Sequence, residues 1–228
     1  MNEKKIWDFL LDKIGNSYGV AGLMGNLYVE SKLNSDYLQS SYARKLNMTS
    51  SEYTEAVDNG SYNSFIDDKA GYGLAQWTFW SRKEALLNYA KSKNKSIGDL
   101  DMQLEYLWNE IQSYKTVMSV LKTAQSVREA SDVVLERYEK AADQSNDAKI
   151  RRCEFGLIYY NKYVPGQKIV TITTDRVNIR NGNGKQYKRI LLSFKGNKFP
   201  WVTTVGDWHA IVVKEQVGWV SGEFSEVR

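Results

Sequence analysis

The stretch Gly19-Val20-Ala21-Gly22-Leu23-Met24-Gly25-Asn26-Leu27-Tyr28-Val29-Glu30-Ser31-Lys32-Leu33 decides what kind of fold this chain has. At 100° per residue, Val20, Leu23, Met24, Leu27 and Ser31 fall on one stripe, which predicts a helix facing a core. Glu30 falls beside Leu23 at the edge of that stripe, on a flank shared with Gly19, Gly22 and Asn26. A carboxyl beside positions with little side chain suggests a groove floor where a ligand comes close to the helix. Held against apolar surface, such a carboxyl favours its protonated form, the state a general acid needs near neutral pH. An exposed helical glutamate is the plainer alternative, since residues 1–163 hold 22 acidic side chains.

Downstream comes Asp67-Asp68-Lys69-Ala70-Gly71-Tyr72-Gly73-Leu74-Ala75-Gln76-Trp77-Thr78-Phe79-Trp80. Two carboxylates lead into a Gly-x-Gly turn, which predicts a tight hairpin bringing acid groups to a cleft. Tyr72, Trp77 and Trp80 offer flat faces for the C–H sides of sugar rings. A turn with core aromatics accounts for the same residues without a ligand, because tryptophan is usually packed. The glycine spacing is neither that of a phosphate-binding loop nor that of a dinucleotide fold.

Around these segments the first 163 residues read as successive helices. Ile6, Phe9, Leu10 and Ile14 recur at helical spacing, as do Leu100, Leu104, Leu107, Trp108 and Ile111 behind a candidate cap at Asp99. Ser126 and Glu129 have capping-box spacing ahead of Val127, Ala130, Val133 and Val134. Ile150, Cys153, Leu157 and Ile158 predict a last helix ending near Tyr163, and the helical pattern breaks between Asp58 and Thr78. Residues 164–168 form a breaker-rich linker. Beyond it, Ile169 to Thr174, Val177 to Arg180, Trp208 to Val213 and Gly218 to Val220 are short β-branched or alternating runs separated by turns. The expected fold class is therefore multi-domain: a mainly α domain over 1–163 with a small β-hairpin, and a small all-β barrel over 169–228.

Composition narrows the chemistry. The chain has 228 residues, 42% hydrophobic and 25% charged, and no apolar run approaches the ~18–20 residues of a membrane span. Its opening segment is amphipathic and lacks a small-residue cleavage site, so no signal peptide and no membrane insertion are expected. A lone Cys153 excludes a disulfide framework and fits synthesis in a reducing cytoplasm, while a lone His209 excludes His-pair metal sites. No metal and no cofactor are expected. Residues 164–228 carry 10 Lys and Arg against 5 Asp and Glu, whereas residues 1–163 carry 21 against 22. The basic excess suits an anionic wall polymer as well as nucleic acid. No interleaved strip of aromatic and basic residues is present, so no nucleic-acid partner is expected.

Taken together, Gly25-Asn26-Leu27-Tyr28-Val29-Glu30-Ser31 and Gly71-Tyr72-Gly73-Leu74-Ala75-Gln76-Trp77 resemble the lysozyme-like superfamily, with its helix ending in an essential Glu and its G-[FY]-G-L-[MA]-Q hairpin. Within it, residues 1–163 are most similar to the phage tail lysozyme family, including Asp99-Leu100-Asp101-Met102-Gln103-Leu104 and Tyr138-Glu139-Lys140-Ala141-Ala142-Asp143. The resemblance implies cleavage of the β-1,4 bond between N-acetylmuramic acid and N-acetylglucosamine in peptidoglycan. Val177-Asn178-Ile179-Arg180-Asn181-Gly182-Asn183-Gly184, Gly206-Asp207-Trp208-His209 and Gly218-Trp219-Val220-Ser221 resemble bacterial SH3 (SH3b) wall-binding domains, with Asn183 standing where those have proline. The two together look like an endolysin of a phage of Gram-positive bacteria, made in the host cytoplasm and acting on the wall after membrane permeabilisation. A tail-tip or conjugation-associated wall hydrolase is the alternative setting.

By resemblance Glu30 is the general acid. The second carboxylate is Asp68 in the register of the nearer family and Asp67 in the goose-type register. Some relatives use the Glu alone as lytic transglycosylases, with the sugar's 6-hydroxyl attacking and leaving a 1,6-anhydro end. Asn26, Tyr72, Gln76, Trp77 and Trp80 are the expected substrate contacts, and Arg180, Tyr187, Trp201 and Trp208 the expected wall contacts of the tail. Gln76 has two roles open to it, binding substrate or bracing the cleft. Trp208 and Trp219 have the barrel core as their alternative. Two rival functions are a Cys153–His209 wall amidase or peptidase, which needs the pair within hydrogen-bond reach, and a catalytically dead wall-binding protein.

Overall fold

The computed structural model describes residues 2–166, 168–213 and 216–228; one of the residues outside these, Gln167, belongs to the expected linker. Among the described residues the first part of the chain is helical. Its helices are α1 (Asn2–Ile14), α2 (Ser17–Ser31), α3 (Ser40–Leu46), α4 (Ser50–Asp58), α5 (Trp80–Ser92), α6 (Leu100–Ile111), α7 (Lys115–Thr123), α8 (Val127–Val133) and α9 (Asn146–Tyr163). A π-helical segment, Val134–Glu139, continues α8. No helix among the described residues is long and apolar enough to cross a membrane.

Local chemistry explains several of these boundaries. Asp99 caps α6 by accepting from the Met102 N–H at 2.9 Å, and Asn16 caps α2 through the Tyr18 N–H at 3.0 Å. Ser126 caps α8 through the Glu129 N–H, but the Glu129 carboxylate accepts from Gln125 rather than closing the box on Ser126. The complete capping box is instead Thr49 with Glu52, at the start of α4.

Helix α2 is the axle of the helical part. Val20, Leu23, Met24 and Leu27 are buried as the stripe requires, but so are Gly19, Gly22, Gly25 and Asn26. The glycine flank is therefore not a groove floor for a ligand. A Cβ on Gly19 would overlap the Leu121 carbonyl, one on Gly22 would meet Ala130, and one on Gly25 would strike the Arg152 carbonyl and Gly156. The missing side chains let α7, α8 and α9 cross α2 at close range. Of the stripe expected on α9, Cys153 is buried and Leu157 packs at the core margin, whereas Ile150 is exposed.

The expected β-hairpin is reduced to single antiparallel bridges, Leu38 with Tyr72 and Tyr72 with Trp77. Its flanking backbone is occupied elsewhere: Gly71 N–H donates to the Gln39 side chain and Gly73 N–H to the Tyr37 carbonyl.

The C-terminal part is an all-antiparallel seven-stranded sheet: β1 (Ile169–Ile172), β2 (Val177–Arg180), β3 (Arg189–Ser193), β4 (Lys198–Val205), β5 (Trp208–Val213), β6 (Gln216–Ser221) and β7 (Ser225–Val227), in the order β3-β2-β6-β5-β4-β1-β7. It has its own core of Val170, Ile172, Val177, Ile179, Ile211, Val213 and Val220. Trp208 and Trp219 are only partly buried and stand outside that core. Helix α9 lies against β4 and β6.

Candidate active site

Glu30 sits one residue before the end of α2, where Lys32 takes a left-handed conformation (φ 58°) and its N–H closes on the Tyr28 carbonyl. Ser31 fastens this helix end to the glycine turn, donating to the Leu27 carbonyl at 3.1 Å or the Leu74 carbonyl at 2.9 Å. The turn is held from its other side by Gln103, whose amide oxygen accepts from Leu74 N–H at 2.9 Å while its nitrogen reaches the Ser35 and Ile97 carbonyls. Helix end and turn are thus fixed relative to one another, and a polar cleft of about 440 Å³ opens between them. Glu30, Gln39, Gly71, Gln76 and Thr78 line it on the helix and turn side; Phe79, Arg82, Glu139 and Ala141 complete it.

The Glu30 side chain is 21% exposed and is ion-paired with Arg152 of α9, Nη2 to Oε1, at 2.7 Å. Its carboxyl therefore faces a cation, not the apolar surface the helical pattern suggested. A second carboxyl shares the cleft. Glu139, the last residue of the π-helical segment, is partly buried, and its Oε1 is fully buried without a hydrogen-bond partner. Burial first, and then the nearby charge of Glu30, push the Glu139 carboxyl up to about 8. This residue was missed as a site residue in the sequence, although it falls within one of the family-like stretches.

Behind the cleft, Glu110 collects donors from three elements. Arg82 binds it in bidentate fashion at 2.7 and 2.8 Å, Trp77 Nε1–H donates at 3.0 Å, and the Tyr138 hydroxyl donates to the same Oε2. Burial alone would raise the Glu110 carboxyl, but the Arg82 pair and these hydrogen bonds hold it below the usual range. The network anchors Arg82 on one wall and Tyr138, the neighbour of Glu139, on the other.

The remaining expected site residues fall in different places. Asp68 is sequestered: its carboxylate pairs with the buried Lys83 and accepts from the Tyr53 hydroxyl, from the Tyr62 hydroxyl at 3.1 Å and from Ala70 N–H at 2.9 Å. Asp67 is exposed, and neither aspartate is among the residues lining the cleft. Tyr72 and Trp77 are fully buried, which leaves no ring face for a sugar. Asn26 is fully buried too, its amide donating to the Gly22 and Ser131 carbonyls and the Ser131 hydroxyl between α2 and α8. Gln76 does line the cleft, but its amide nitrogen donates to the Tyr37 and Gly73 carbonyls, which braces the turn. Trp80 is 53% exposed, and Phe79, which the sequence reading left out, is 61% exposed, with ring centroids 6.0 Å apart.

Cys153 is buried, and burial pushes its thiol up to about 12, far from a thiolate nucleophile. His209 hydrogen-bonds Thr204 through Nδ1 at 2.9 Å. Among the described residues no group of three His, Cys, Asp or Glu side chains is arranged to hold a metal ion.

On the sheet, Arg180 donates to the Tyr187 carbonyl at 2.7 Å, and Trp201 Nε1–H donates to Thr204 at 3.0 Å under the Lys168 ammonium. Tyr187 is exposed. Arg176, Arg180, Lys185, Trp208 and Phe224 border a second cavity, of about 290 Å³.

The helical core is built round one axial helix, and the glutamate at that helix's end lines a polar cleft together with the glycine-rich turn. A family model described as phage tail lysozyme matches residues 1–163. The chain belongs to the phage tail lysozyme family, and peptidoglycan is its substrate class. A comparison with curated proteins found no match.

Proposed function

We propose that the chain cleaves the β-1,4 bond between N-acetylmuramic acid and N-acetylglucosamine, with Glu30 as the group that protonates the leaving glycosidic oxygen. The observation that carries this reading is the placement of Glu30: a partly exposed carboxyl at the end of a buried helix, on the lip of a polar cleft of about 440 Å³. Exposed Phe79 lines that cleft, and in this reading it and its exposed neighbour Trp80 supply apolar faces for sugar rings. Four donors on Asp68 support a structural role for it.

A second outcome has an observation in its favour. Neither Asp67 nor Asp68 lines the cleft, which suits a lytic transglycosylase whose nucleophile is the sugar's own 6-hydroxyl. The C-terminal sheet acts in this proposal as an SH3b-type barrel that holds the enzyme on the wall, and the aromatic and basic border of its cavity supports that role. The whole then works as an endolysin of a Gram-positive host.

Mass spectrometry of muropeptides released from purified walls tests the proposal. Fragments with N-acetylmuramic acid at the reducing end, or its 1,6-anhydro form, are the expected products and separate hydrolysis from transglycosylation. Release of free stem peptides with intact glycan strands would overturn it.

A further inference from the structure

Two carboxyls share the cleft, and they are held in opposite ways. Glu30, on α2, is clamped by the Arg152 guanidinium of α9 at 2.7 Å. Glu139, on the π-helical segment, buries an oxygen that meets no donor. A buried, ionised carboxylate oxygen without a donor is costly, and a protonated carboxyl is the state that removes the cost. A π-turn is itself an uncommon conformation, found often at functional sites, and here it ends on this residue.

We infer that Glu139 is a positioning residue for the glycan-cleaving reaction: it stores the proton that Glu30 delivers, so the two carboxyls work as one pair holding one proton. This rests on the reading of Glu30 as the acid. In the resting cleft the proton is on Glu139 and the negative charge on Glu30, against Arg152. When substrate is bound, the proton passes from Glu139 to Glu30. Glu30 then gives it to the glycosidic oxygen as the C1–O bond breaks and its electron pair goes to that oxygen. The incoming hydroxyl, from water or from the sugar's C6, forms the new bond at C1 and returns its proton to the pair. One proton leaves the pair and one comes back.

The charges facing Glu139 suit this division. Burial, the largest influence, and then Glu30 from α2 and Glu110 from α6 favour keeping the proton, while Arg82 from α5 and Arg152 from α9 oppose it. The titration of such a pair belongs to both members.

The test uses the full chain and combines a pH–rate profile with carbon-13 NMR of the glutamate carboxyls. Glu139→Gln keeps the shape and removes the stored proton. It is expected to lower kcat by about 10²-fold with KM little changed, and to move the alkaline limb of the profile toward acid by at least one pH unit. Glu139→Asp should recover part of both. In the wild type the residue 139 carboxyl should titrate well above an ordinary glutamate, and in Glu30→Gln it should move down, because the neighbouring charge is gone; this arm stands even if Glu139→Gln folds poorly. A folded Glu139→Gln protein with the wild-type profile, or a residue 139 carboxyl that titrates in the ordinary range, overturns the inference. The parent reading fails separately, through a folded Glu30→Gln protein that still cleaves walls.

Discussion

Arg152 Nη2 stands 2.7 Å from Glu30 Oε1, so the last turn of α2 is tied to α9 by a contact between residues more than a hundred positions apart. The Arg152 side chain is 8% exposed, and its Nη1 also reaches the Asn26 carbonyl at 3.5 Å. Removing the guanidinium leaves a carboxylate and a carbonyl without their cation. Arg152→Met should cost about 3 kcal/mol, the lower end for a broken buried pair because Glu30 keeps some solvent. Urea unfolding followed by circular dichroism measures it; a loss below about 1 kcal/mol contradicts this account of the pair.

Asp68→Asn separates a structural aspartate from a catalytic one. Lys83 is fully buried and would lose its charged partner, so the variant should lose about 3–5 kcal/mol of stability. The fraction that remains folded should cleave soluble glycan fragments within about tenfold of wild type, well short of the 10²–10⁴-fold associated with a lost acid or base. Asp67→Asn should be near neutral in both assays. A stable Asp68→Asn protein without activity would return Asp68 to the reaction.

Gly25→Ala probes the crossing of α2 and α9. The added methyl has the Arg152 carbonyl and Gly156 in its way, and neither is the far end of a flexible side chain. We expect a loss of about 1–3 kcal/mol or more from overpacking, even though alanine is the better helix former. Equal or greater stability in urea would show that the helices can separate without penalty.

The Glu139 carboxyl also makes a prediction about pH. Its folded value, about 8, lies above the ordinary 4.5, so the folded state binds the extra proton between these pH values. A group shifted this way stabilises most below pH 4.5, and its contribution is lost as pH rises toward 8. The Tm of the wild type minus that of Glu139→Gln should therefore fall steadily from pH 5 to pH 8. A constant difference across that window would mean that Glu139 is ionised throughout.

For the sheet, Trp208→Ala in the full chain should reduce sedimentation with purified walls about tenfold, equivalent to ~1.4 kcal/mol for a lost aromatic anchor. Cleavage of soluble glycan fragments should be unchanged, since Trp208 is on the sheet and not in the Glu30 cleft. Part of the wild-type binding should weaken with salt, because exposed charges are screened over ~8 Å at physiological ionic strength.

What could be read from the chain was what is local. Asp99 and Ser126 cap helices through residues three positions away, and β2 and β5 run over the residues their alternation marks. Strand β4 stayed hidden because Pro200 lies within it, a residue that ordinarily argues against a strand. The differences between pattern and structure at the site share a cause. Whether Gly22 and Gly25 make a groove or a helix crossing depends on Ala130 and Gly156, far along the chain. Asp68 is claimed by Tyr53 and Lys83, 15 residues away on either side, which no spacing around the Gly-x-Gly turn records. Glu139 looks like any helical glutamate until the tertiary fold turns it toward Glu30.

In the proposed reaction the Glu30 carboxyl supplies the proton that breaks the glycan strand. Glu30→Gln keeps the size of the side chain and removes the transferable proton. The most direct measurement is the rate of reducing-end or anhydro-end release from purified walls by this variant, with circular dichroism as the check on folding. The expected outcome is an unchanged spectrum and a rate lower by about 10²–10⁴-fold. A folded Glu30→Gln protein that cleaves walls at close to the wild-type rate would contradict it.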